Sequence, residues 1–558
     1  MGSGPDDRIS YSKIEHGLFP SPEIGKVDDW ELDDWRRLRA LLVEALKGET
    51  KHSFLPSGAV LQSVNRRLGL QPDWKKTSFS ERYFSVDRNN LEQALAFARY
   101  NDRDYLYLRE VFENERRVEG QLKALAGLPD INFKSPLRQS DWSSYLTKQD
   151  SSLGRHAAAD YAKAIEAQAS ICDQVFRKPI AVICGGAGTG KTTVVESIIK
   201  AIEKAHGQGT SFCLLAPTGK AADRMRDKTG KEALTIHSFL AQRGWLRENR
   251  TYLRSGGRQE EGISTFIIDE ASMLDLGLFA CLVRAINWNA VQRLILVGDP
   301  NQLPPIGRGR IFADLIAWLK RDLPENVGEL SINLRQLENR VNGCGTGILD
   351  LAELFKRRSS MDYKSEDACL AAELFFQRLQ DLPPDGAVDR DLRVIYWKDG
   401  KDLQDKLLAR IIADMQEDTG KELVTDRPWE LWNAAWSNGG TSRNPLYQQV
   451  ISPYRNEEYG TNILNEMLQH ATQERNLQRI GALGGITLYD KVIQFRNRGK
   501  SDPIYAYDCT QSKNVKAYIF NGELGFVGVH GYDAGKTNNY RFRLKRFVVR
   551  FSRKENLS

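Results

Sequence analysis

The chain has 558 residues, of which 41% are hydrophobic and 27% are charged. That balance is typical of a globular protein, and it excludes wholesale disorder, a collagen-like repeat and a small disulfide-stapled scaffold. The length allows about three to four domains. The net charge of +6 is compatible with nucleic-acid binding but does not require it.

Localisation is predicted from the apolar runs and the cysteines. Runs such as residues 179–184 are far too short to span a bilayer, and the N-terminus has no apolar signal-peptide core. The seven cysteines include no Cys-x-x-Cys pair, which predicts neither a zinc cluster nor a disulfide framework. We therefore expect a cytoplasmic protein.

The first part of the chain is expected to precede the catalytic machinery. Residues 1–30 have no hydrophobic periodicity and are interpreted as a flexible lead-in. Leucines at helical spacing from position 38 onwards predict a small helical or winged-helix domain over 31–127. Residues 128–155 are rich in Ser, Asp and Pro and are interpreted as a linker.

After this segment, short apolar runs alternate with helix-like stretches. The apolar runs cover residues 180–184, 212–216, 266–268 and 294–297. Such alternation predicts βαβ units around a parallel sheet, and hence an α/β fold.

A phosphate-binding pattern follows the first of these runs. It reads Gly185-Gly186-Ala187-Gly188-Thr189-Gly190-Lys191-Thr192, followed by Thr193, and it precedes a helical run. The glycines allow backbone N–H groups to surround phosphate oxygens, and the helix N-terminus favours their negative charge. Lys191 is predicted to reach the β- and γ-phosphates, and the Thr192 hydroxyl to bind Mg²⁺. ATP and Mg²⁺ are therefore the predicted cofactors.

Two acids end the apolar run at 266–268. Asp269 is expected to hold Mg²⁺ through water, and Glu270 to polarise the attacking water. Either acid alone would be interpreted as the solvated end of a strand. Together with the upstream phosphate pattern, the pair predicts ATP hydrolysis.

Further segments narrow the class of ATPase. The chain contains APTGKAA at 216–222, TIHSFL at 235–240, DEASM at 269–273 and GDPNQLPPIG at 298–307. In their residues and in their order along the chain, these segments resemble the motifs of superfamily-one helicases, specifically the RecD-like branch that moves 5′ to 3′ on single-stranded DNA. The resemblance covers residues 35 to 530 and implies two RecA-like lobes with ATP between them.

The resemblance also implies roles for single residues. Gln168 matches an adenine-reading glutamine, and Gln302 one that senses the γ-phosphate and couples it to DNA. Arg335 matches an arginine that touches the γ-phosphate, although Leu334 replaces the aromatic residue of the family's pattern. The residues that it implies as nucleic-acid contacts are Pro217, Thr218, Thr235, His237, Ser452, Pro453, Arg455 and Asn521. A helix cap for Thr218 and a buried hydrogen bond for His237 are the plain alternatives.

The later part of the chain is assigned by the same resemblance. VISPYR at 450–455, DKVIQ at 490–494 and FNGELG at 520–525 resemble segments of the second motor domain. This predicts a second, incomplete RecA-like domain over 336–498 after a first one over 156–335. Residues 499–558 are then expected to begin a β-rich, SH3-like insert.

A segment between the motifs at 235–240 and 269–273 has its own interpretation. Residues 245–258 place polar and aromatic side chains around a Gly-Gly pair, which predicts a short projecting hairpin. One hypothesis is a wedge at the duplex fork, with Trp245 or Tyr252 stacking on a base. A plain surface hairpin is the equally open alternative.

Two terminal motifs of the family are missing from the sequence. No histidine is followed by x-x-Gln-Gly, and no Thr-x-Arg-Ala-Arg segment supplies a second arginine to ATP. A truncated chain, a split gene whose partner supplies the rest and a natural variant all remain open. We expect this chain alone to bind ATP and single-stranded DNA, but to hydrolyse and unwind poorly.

The leading functional prediction is an ATP-dependent 5′–3′ DNA helicase or translocase that acts on single-stranded DNA or on a duplex with a 5′ overhang. The alternative is an ATP-switched DNA-binding subunit without productive unwinding, completed by a partner chain. A P-loop kinase or transporter is a third class, which Gln302 and the Ala-Pro-Thr-Gly-Lys segment disfavour. No nuclease pattern is evident in the sequence, so cleavage would require a partner.

Overall fold

The computed structural model describes most of the chain. The described residues are 8–20, 31–147, 152–207, 210–247, 251–349, 351–352, 373, 377, 380, 386–420, 448–495, 498, 504–508, 512–517, 519, 521–528 and 548–551. The chain divides into two compact units, residues 1–343 and 344–558, and each is described by itself. The domain boundaries drawn from the sequence remain predictions.

The first unit begins with helices packed on a small antiparallel sheet. The sheet has the order β1-β3-β2, and leucines on one face of α2 enter its core. This matches the apolar periodicity of the sequence, while the name winged helix remains a prediction. The elements are α1 (Tyr11–Leu18), α2 (Trp35–Gly48), β1 (Phe54–Pro56), α3 (Ser57–Leu68), α4 (Arg82–Val86), α5 (Arg88–Leu91), β2 (Leu95–Tyr100), β3 (Arg103–Leu108) and α6 (Arg109–Ala126).

Part of the predicted lead-in is packed rather than flexible. Residues 1–7 and 21–30 lie outside the described residues, but α1 lies between them. Arg37 donates from Nη2 to Glu15 Oε2 over 2.6 Å, and both side chains are buried. A buried ion pair does not produce the periodic spacing of apolar residues by which a helix is predicted from sequence. The prediction therefore missed this helix.

The segment predicted to be a linker also contributes to the core. It contains α7 (Gln139–Leu146) and α8 (Ser152–His156), and it is followed by α9 (Ala158–Phe176). Trp142 is fully buried, and its indole N–H donates to Asp173 over 3.2 Å. The expectation of a plain linker is therefore wrong for the described part of 128–155, because a few apolar side chains anchor an otherwise polar stretch.

A six-stranded parallel sheet forms the centre of the first unit. Its strand order is β6-β5-β7-β8-β4-β9, and its flanking helices run from α10 to α15. The α/β fold class is confirmed. The strands are β4 (Ile180–Gly185), β5 (Phe212–Ala216), β6 (Ala233–Thr235), β7 (Thr265–Ile268), β8 (Arg293–Gly298) and β9 (Val327–Leu330). The helices are α10 (Lys191–His206), α11 (Gly219–Thr229), α12 (Ile236–Gln242), α13 (Leu276–Ala285), α14 (Ile311–Asp322) and α15 (Leu334–Val341).

Burial on both faces explains why the four inner strands, β5, β7, β8 and β4, are largely apolar runs. Along β4, Ile180, Val182 and Cys184 enter one hydrophobic core, whereas Ala181 and Ile183 enter the other. Helices therefore cover both faces of the sheet. Since the strands are parallel, their carboxyl ends lie at one edge, where ligands of such sheets usually bind.

The second unit is described only in parts. Helices α16 and α17 share a small core of Ile411, Met415 and Leu468, and β12, β15 and β16 form an antiparallel sheet. The predicted SH3-like insert remains a prediction. The elements are β10 (Ala387–Asp389), β11 (Leu392–Arg393), α16 (Gly400–Thr419), α17 (Thr461–Arg479), β12 (Lys491–Ile493), β13 (Ile504–Asp508), β14 (Lys513–Ala517), β15 (Leu524–Gly528) and β16 (Val548–Phe551).

The helices were also compared with the requirements of a membrane span. Within the described ranges, none of them combines the length and the apolar character that a bilayer crossing needs.

Candidate nucleotide-binding site

The phosphate pattern forms a loop between β4 and α10. Gly188 and Gly190 have φ values of +84° and +88°, a backbone conformation that favours glycine. A Cβ at Gly185 would lie 2.7 Å from Thr189 Oγ1, so this position also needs glycine. Helix α10 begins at Lys191 without a side-chain cap, so its first backbone N–H groups can receive an anion.

Lys191 lies over this loop. Its Nζ donates to the carbonyl oxygens of Gly185 and Gly186 over 2.7 and 2.9 Å. Burial lowers the pKa of Lys191, and the carboxylates of Asp299, Glu270 and Asp269 oppose that effect. The ammonium therefore already lies at the loop. Phosphate oxygens can take the place of the two carbonyl oxygens as its hydrogen-bond acceptors.

The two acids follow β7 at the same edge of the sheet. Asp269 is 6% exposed, and its Oδ1 accepts the Glu270 N–H over 2.9 Å. Burial raises the pKa of Asp269 to about 6, despite that N–H and the positive charges of Lys191 and Arg224. Glu270 has a φ of +52°, and its buried Oε2 has no hydrogen-bond partner within the described structure. Both carboxylates are thus held at the edge of the sheet that carries the loop.

The segment after β9 packs directly on the phosphate loop. Asn333 donates from Nδ2 to the Ala187 carbonyl over 2.9 Å, and the Arg335 N–H donates to the Gly188 carbonyl over 3.2 Å. A Cβ at Gly188 would lie 2.5 Å from Asn333 Oδ1. Residues of the first unit therefore bring the exposed Arg335 beside the loop.

Gln168 on α9 also reaches the loop. Its Nε2 donates to the Thr189 carbonyl over 2.8 Å, and the side chain is only 3% exposed. Its Oε1 is buried without a hydrogen-bond partner in the described structure. An orphaned buried acceptor is unfavourable, and a donor group on a ligand would remove that cost.

Two loop residues complete the site, and the sequence analysis gave neither of them a role. The buried Asp299 follows β8, and Asn333 clamps the phosphate loop. Strand register explains their positions, because Cys184 pairs with Gly298 and Gly185 pairs with Leu330. The segment GDPNQ was the available signal for Asp299. Gln302 lies in an exposed turn three residues further on.

The residues of the loop fit a nucleotide with Mg²⁺. Thr192 and Asp269 supply the oxygen donors that Mg²⁺ prefers, usually with the help of substrate phosphates. Across the described ranges, no group of three or more His, Cys, Asp or Glu side chains could hold a metal ion by itself. The unpartnered oxygens of Gln168 and Glu270 are further places where a ligand or its water can bind.

The predicted nucleic-acid contacts of the first unit follow β5 and β6, at the same edge. Thr218 and Thr235 both cap helices, since their Oγ1 atoms accept the N–H groups of Ala221 and Ser238 over 3.2 and 3.0 Å. Pro217 precedes the first cap and is partly exposed. These contacts give both threonines a structural role, while their proposed contacts with DNA stay predictions.

His237 is partly exposed and contacts the hairpin segment. Its Nε2 lies 3.3 Å from the Tyr252 hydroxyl, and the two ring centroids are 6.1 Å apart. A short hairpin does exist here, since Leu246 and Tyr252 form an antiparallel bridge. Residues 248–250, between the two bridged residues in the sequence, lie outside the described residues. The Gly-Gly pair is not the turn of this hairpin, which corrects that part of the prediction.

Trp245 does not project, so the hypothesis that it stacks on a base is wrong. Its side chain is in the hydrophobic core and 5% exposed, and its Nε1 donates to the Arg258 carbonyl over 2.7 Å. A Cβ at Gly257 would lie 2.5 Å from the indole ring. The glycine pair therefore allows the chain to pass closely over the buried tryptophan.

Replacing Trp245 should accordingly damage stability rather than DNA contact. We expect Trp245→Ala to lower the free energy of unfolding of the first unit by about 3–5 kcal/mol, because a large buried side chain leaves a cavity. Urea denaturation followed by circular dichroism measures this. Trp74→Ala is the matched control, because Trp74 is 45% exposed. Unchanged stability in Trp245→Ala would contradict the buried position.

The second unit carries the remaining predicted contacts. Pro453 and Arg455 are exposed, and Ser452 donates from Oγ to the Tyr459 carbonyl over 2.7 Å, which closes the turn before α17. Asn521 is exposed in the turn before β15. Three of these side chains are therefore exposed, and their role in DNA binding stays a prediction.

Comparison with known proteins identifies the type of domain. Residues 168–308 match the family model of an AAA domain, and this range contains the phosphate loop and both acids. The ATP-dependent RecD2 DNA helicase of Deinococcus radiodurans is 29% identical over 54% of this chain and 40% of its own length. The RecBCD enzyme subunit RecD of Haemophilus influenzae is 26% identical over 46% of this chain and 41% of its own length. Residues 168–308 thus match a P-loop domain, and about half of the chain is similar to RecD and RecD2 proteins.

Two further similarities cover more of the chain, but at lower identity. An uncharacterised protein of Methanocaldococcus jannaschii is 25% identical over 93% of this chain and 46% of its own length. The chain thus spans less than half of the length of these three relatives. A crystal structure of the Pif1 helicase from Candida albicans covers 69% of this chain and 75% of its own, at 19% identity, with a TM-score of only 0.28.

Proposed function

We propose that this protein is an ATP-driven DNA helicase or translocase that moves 5′ to 3′ on single-stranded DNA. The strongest support is that Lys191, Asp269 and Glu270 lie at the same edge of the parallel sheet. Arg335 packs on the phosphate loop at that edge. That set contains a phosphate cradle, two acids and an arginine, which are the parts that phosphoryl transfer from ATP needs. The name of the RecD2 relative, a DNA helicase, supports DNA as the substrate.

Each residue has a proposed task in ATP hydrolysis. The N–H groups at the start of α10 and the Lys191 ammonium bind phosphate oxygens, with Lys191 leaving the carbonyls of Gly185 and Gly186. Thr192 and Asp269 are the residues that would hold Mg²⁺, which neutralises phosphate charge when it is bound. Glu270 orients a water and takes up its proton at the carboxylate. Arg335 stabilises charge that develops on the transferred phosphoryl group.

Recognition of the adenine of ATP and contact with DNA are proposed for different residues. Gln168 is proposed to read adenine, since its orphaned Oε1 can accept the exocyclic amine. Gln302 is proposed to sense the γ-phosphate from its exposed turn. Pro217, Thr218, Thr235 and His237 are proposed to touch DNA, as are Ser452, Pro453, Arg455 and Asn521. These assignments rest on the resemblance to RecD-like helicases. For the four residues between 217 and 237, they also rest on the edge of the sheet that these residues share with the phosphate loop.

Two measurements test the proposed function. Release of phosphate should increase at least about tenfold when single-stranded DNA is added, because a motor couples hydrolysis to its track. Strand displacement should then occur on a duplex with a 5′ overhang and not on one with a 3′ overhang, at the low rate that is expected of this chain alone. An AMP-PNP control separates displacement driven by hydrolysis from simple binding.

The outcomes separate the proposal from its alternative. Hydrolysis stimulated by DNA without displacement of either duplex would leave a translocase or an ATP-switched subunit that needs a partner chain. Absence of both hydrolysis and ATP binding would overturn the proposed function as a whole. The helicase name of the RecD2 relative favours the motor over the switched subunit.

A further inference from the structure

A loop of the ATPase sheet is fixed at both ends. This loop, residues 299–310, joins β8 to α14 and carries Gln302. At its start, the Asn301 N–H donates to the buried Asp299 side chain over 3.0 Å. Its middle has few contacts, since Leu303 and Ile306 are 86% and 96% exposed. The near end also holds the Gln302 N–H, which donates to the Asp299 carbonyl over 3.1 Å, so the course of the loop beyond Gln302 depends on how the far end is held.

Arg308 holds the far end against the N-terminal domain. It is 7% exposed, and its Nη2 donates to the carbonyl oxygens of Glu49, Lys47 and Leu46 over 2.7, 3.3 and 3.5 Å. A second contact lies beside it, where the Gly309 N–H donates to the Lys51 carbonyl over 3.3 Å. These contacts cross between positions that are more than 250 residues apart in the sequence.

The chemistry of this contact is specific. Leu46 and Lys47 are in the last turn of α2, and Glu49 is its C-cap residue. The last carbonyls of a helix lack internal partners and carry partial negative charge. A guanidinium supplies several donors and a full positive charge, so it suits this helix end better than a lysine does.

We propose that Arg308 is a positioning residue through which the N-terminal domain sets the geometry of the Gln302 loop. Movement or loss of that domain would then be transmitted to the turn proposed to sense the γ-phosphate. The role of the contact in turnover rests on the proposed ATPase function, whereas the anchoring of the loop does not.

The anchoring is tested by hydrogen exchange on the full chain without nucleotide. In Arg308→Ala, the hydrogen-bonded amides of Asn301, Gln302 and Gly309 should exchange at least about tenfold faster, because loss of a set of charge-assisted hydrogen bonds favours local opening. Arg308→Lys should lie between the wild type and Arg308→Ala. Arg310→Ala is the matched control, since Arg310 is exposed two positions away and should leave the loop unchanged. Unchanged loop exchange in Arg308→Ala would overturn the proposal.

The coupling is tested by ATPase kinetics with single-stranded DNA. The kcat of Arg308→Ala should fall about tenfold while KM for ATP stays nearly constant, because a misplaced Gln302 affects turnover and not the phosphate cradle. Arg308→Lys should restore part of kcat. If the loop loosens while kcat is unchanged, or if KM and kcat change together, the positioning role is refuted.

These two readouts keep the proposals distinguishable. A wild-type chain without ATPase activity would contradict the proposed function but leave the hydrogen-exchange result meaningful. The exchange of amides in α2 reports in the same experiment whether Arg308→Ala retains the fold of the N-terminal domain.

Discussion

Replacing Lys191 by alanine should lower ATP turnover about a thousandfold, because an electrostatic donor aimed at the transferred phosphate would be lost. The structure places this ammonium 2.7 and 2.9 Å from two carbonyls of the loop that would surround the phosphates. Folding should be preserved, since burial lowers the pKa of Lys191 and its charge therefore does not stabilise the fold. Steady-state phosphate release with excess single-stranded DNA measures the loss.

Lys200 provides the matched control for this substitution. It lies on the same helix, α10, but it is exposed and paired with Glu196 over 2.8 Å. Lys200→Ala should retain the turnover of the wild type. Binding of a fluorescent single-stranded oligonucleotide without nucleotide should be the same in all three proteins. Turnover in Lys191→Ala within tenfold of the wild type would exclude the proposed role of the cradle.

The parallel sheet could be predicted from the sequence because its signal is local. The four inner strands, β5, β7, β8 and β4, are buried on both faces, so each appears as a largely apolar run, as Ile180 to Cys184 shows. The glycine and lysine spacing of the cradle is equally local, since it lies within one loop and one helix turn. The α/β fold and the position of the phosphate loop therefore followed from residues that are neighbours in sequence.

Contacts between distant segments could not be predicted in the same way. Trp245 sits in a polar stretch, and its burial depends on the close approach of Gly257. Trp142 and Glu15 are likewise buried by partners that lie far along the chain, Asp173 and Arg37. Asp299 and Asn333 reach the cradle through strand register, which no single motif encodes. In each case, the deciding interaction is tertiary.

The carboxylate of Asp269 should be needed for ATP turnover but should lower the free energy of unfolding. Burial raises its pKa from an ordinary value of 3.8 to about 6, so between these pH values the folded protein binds a proton that the unfolded chain has released. Stability from this group is therefore present at low pH and lost as the pH rises to about 6. Above that pH, the cost of holding the charge is about 3 kcal/mol, from about 1.4 kcal/mol for each pKa unit.

Asp269→Asn should remove this cost and also abolish function. We expect the nucleotide-free variant to be about 1–3 kcal/mol more stable than the wild type at pH 8, with the difference vanishing near pH 4. ATP turnover should fall at least about a hundredfold, because the proposed Mg²⁺ ligand is lost. Urea denaturation at the two pH values and phosphate release at pH 8 measure the two effects.

Asp314 separates the two effects experimentally. Burial also raises its pKa, but it lies on α14 and has no proposed role in catalysis. Asp314→Asn should therefore stabilise the protein in the same direction at pH 8 and retain turnover. Loss of stability in Asp269→Asn at pH 8 would contradict the electrostatic cost, whereas full turnover would contradict the proposed metal ligand. The Asp269 carboxylate lowers the stability of the nucleotide-free protein but is needed for turnover. Such a residue is expected where ligand binding, rather than folding, determines which side chain is present.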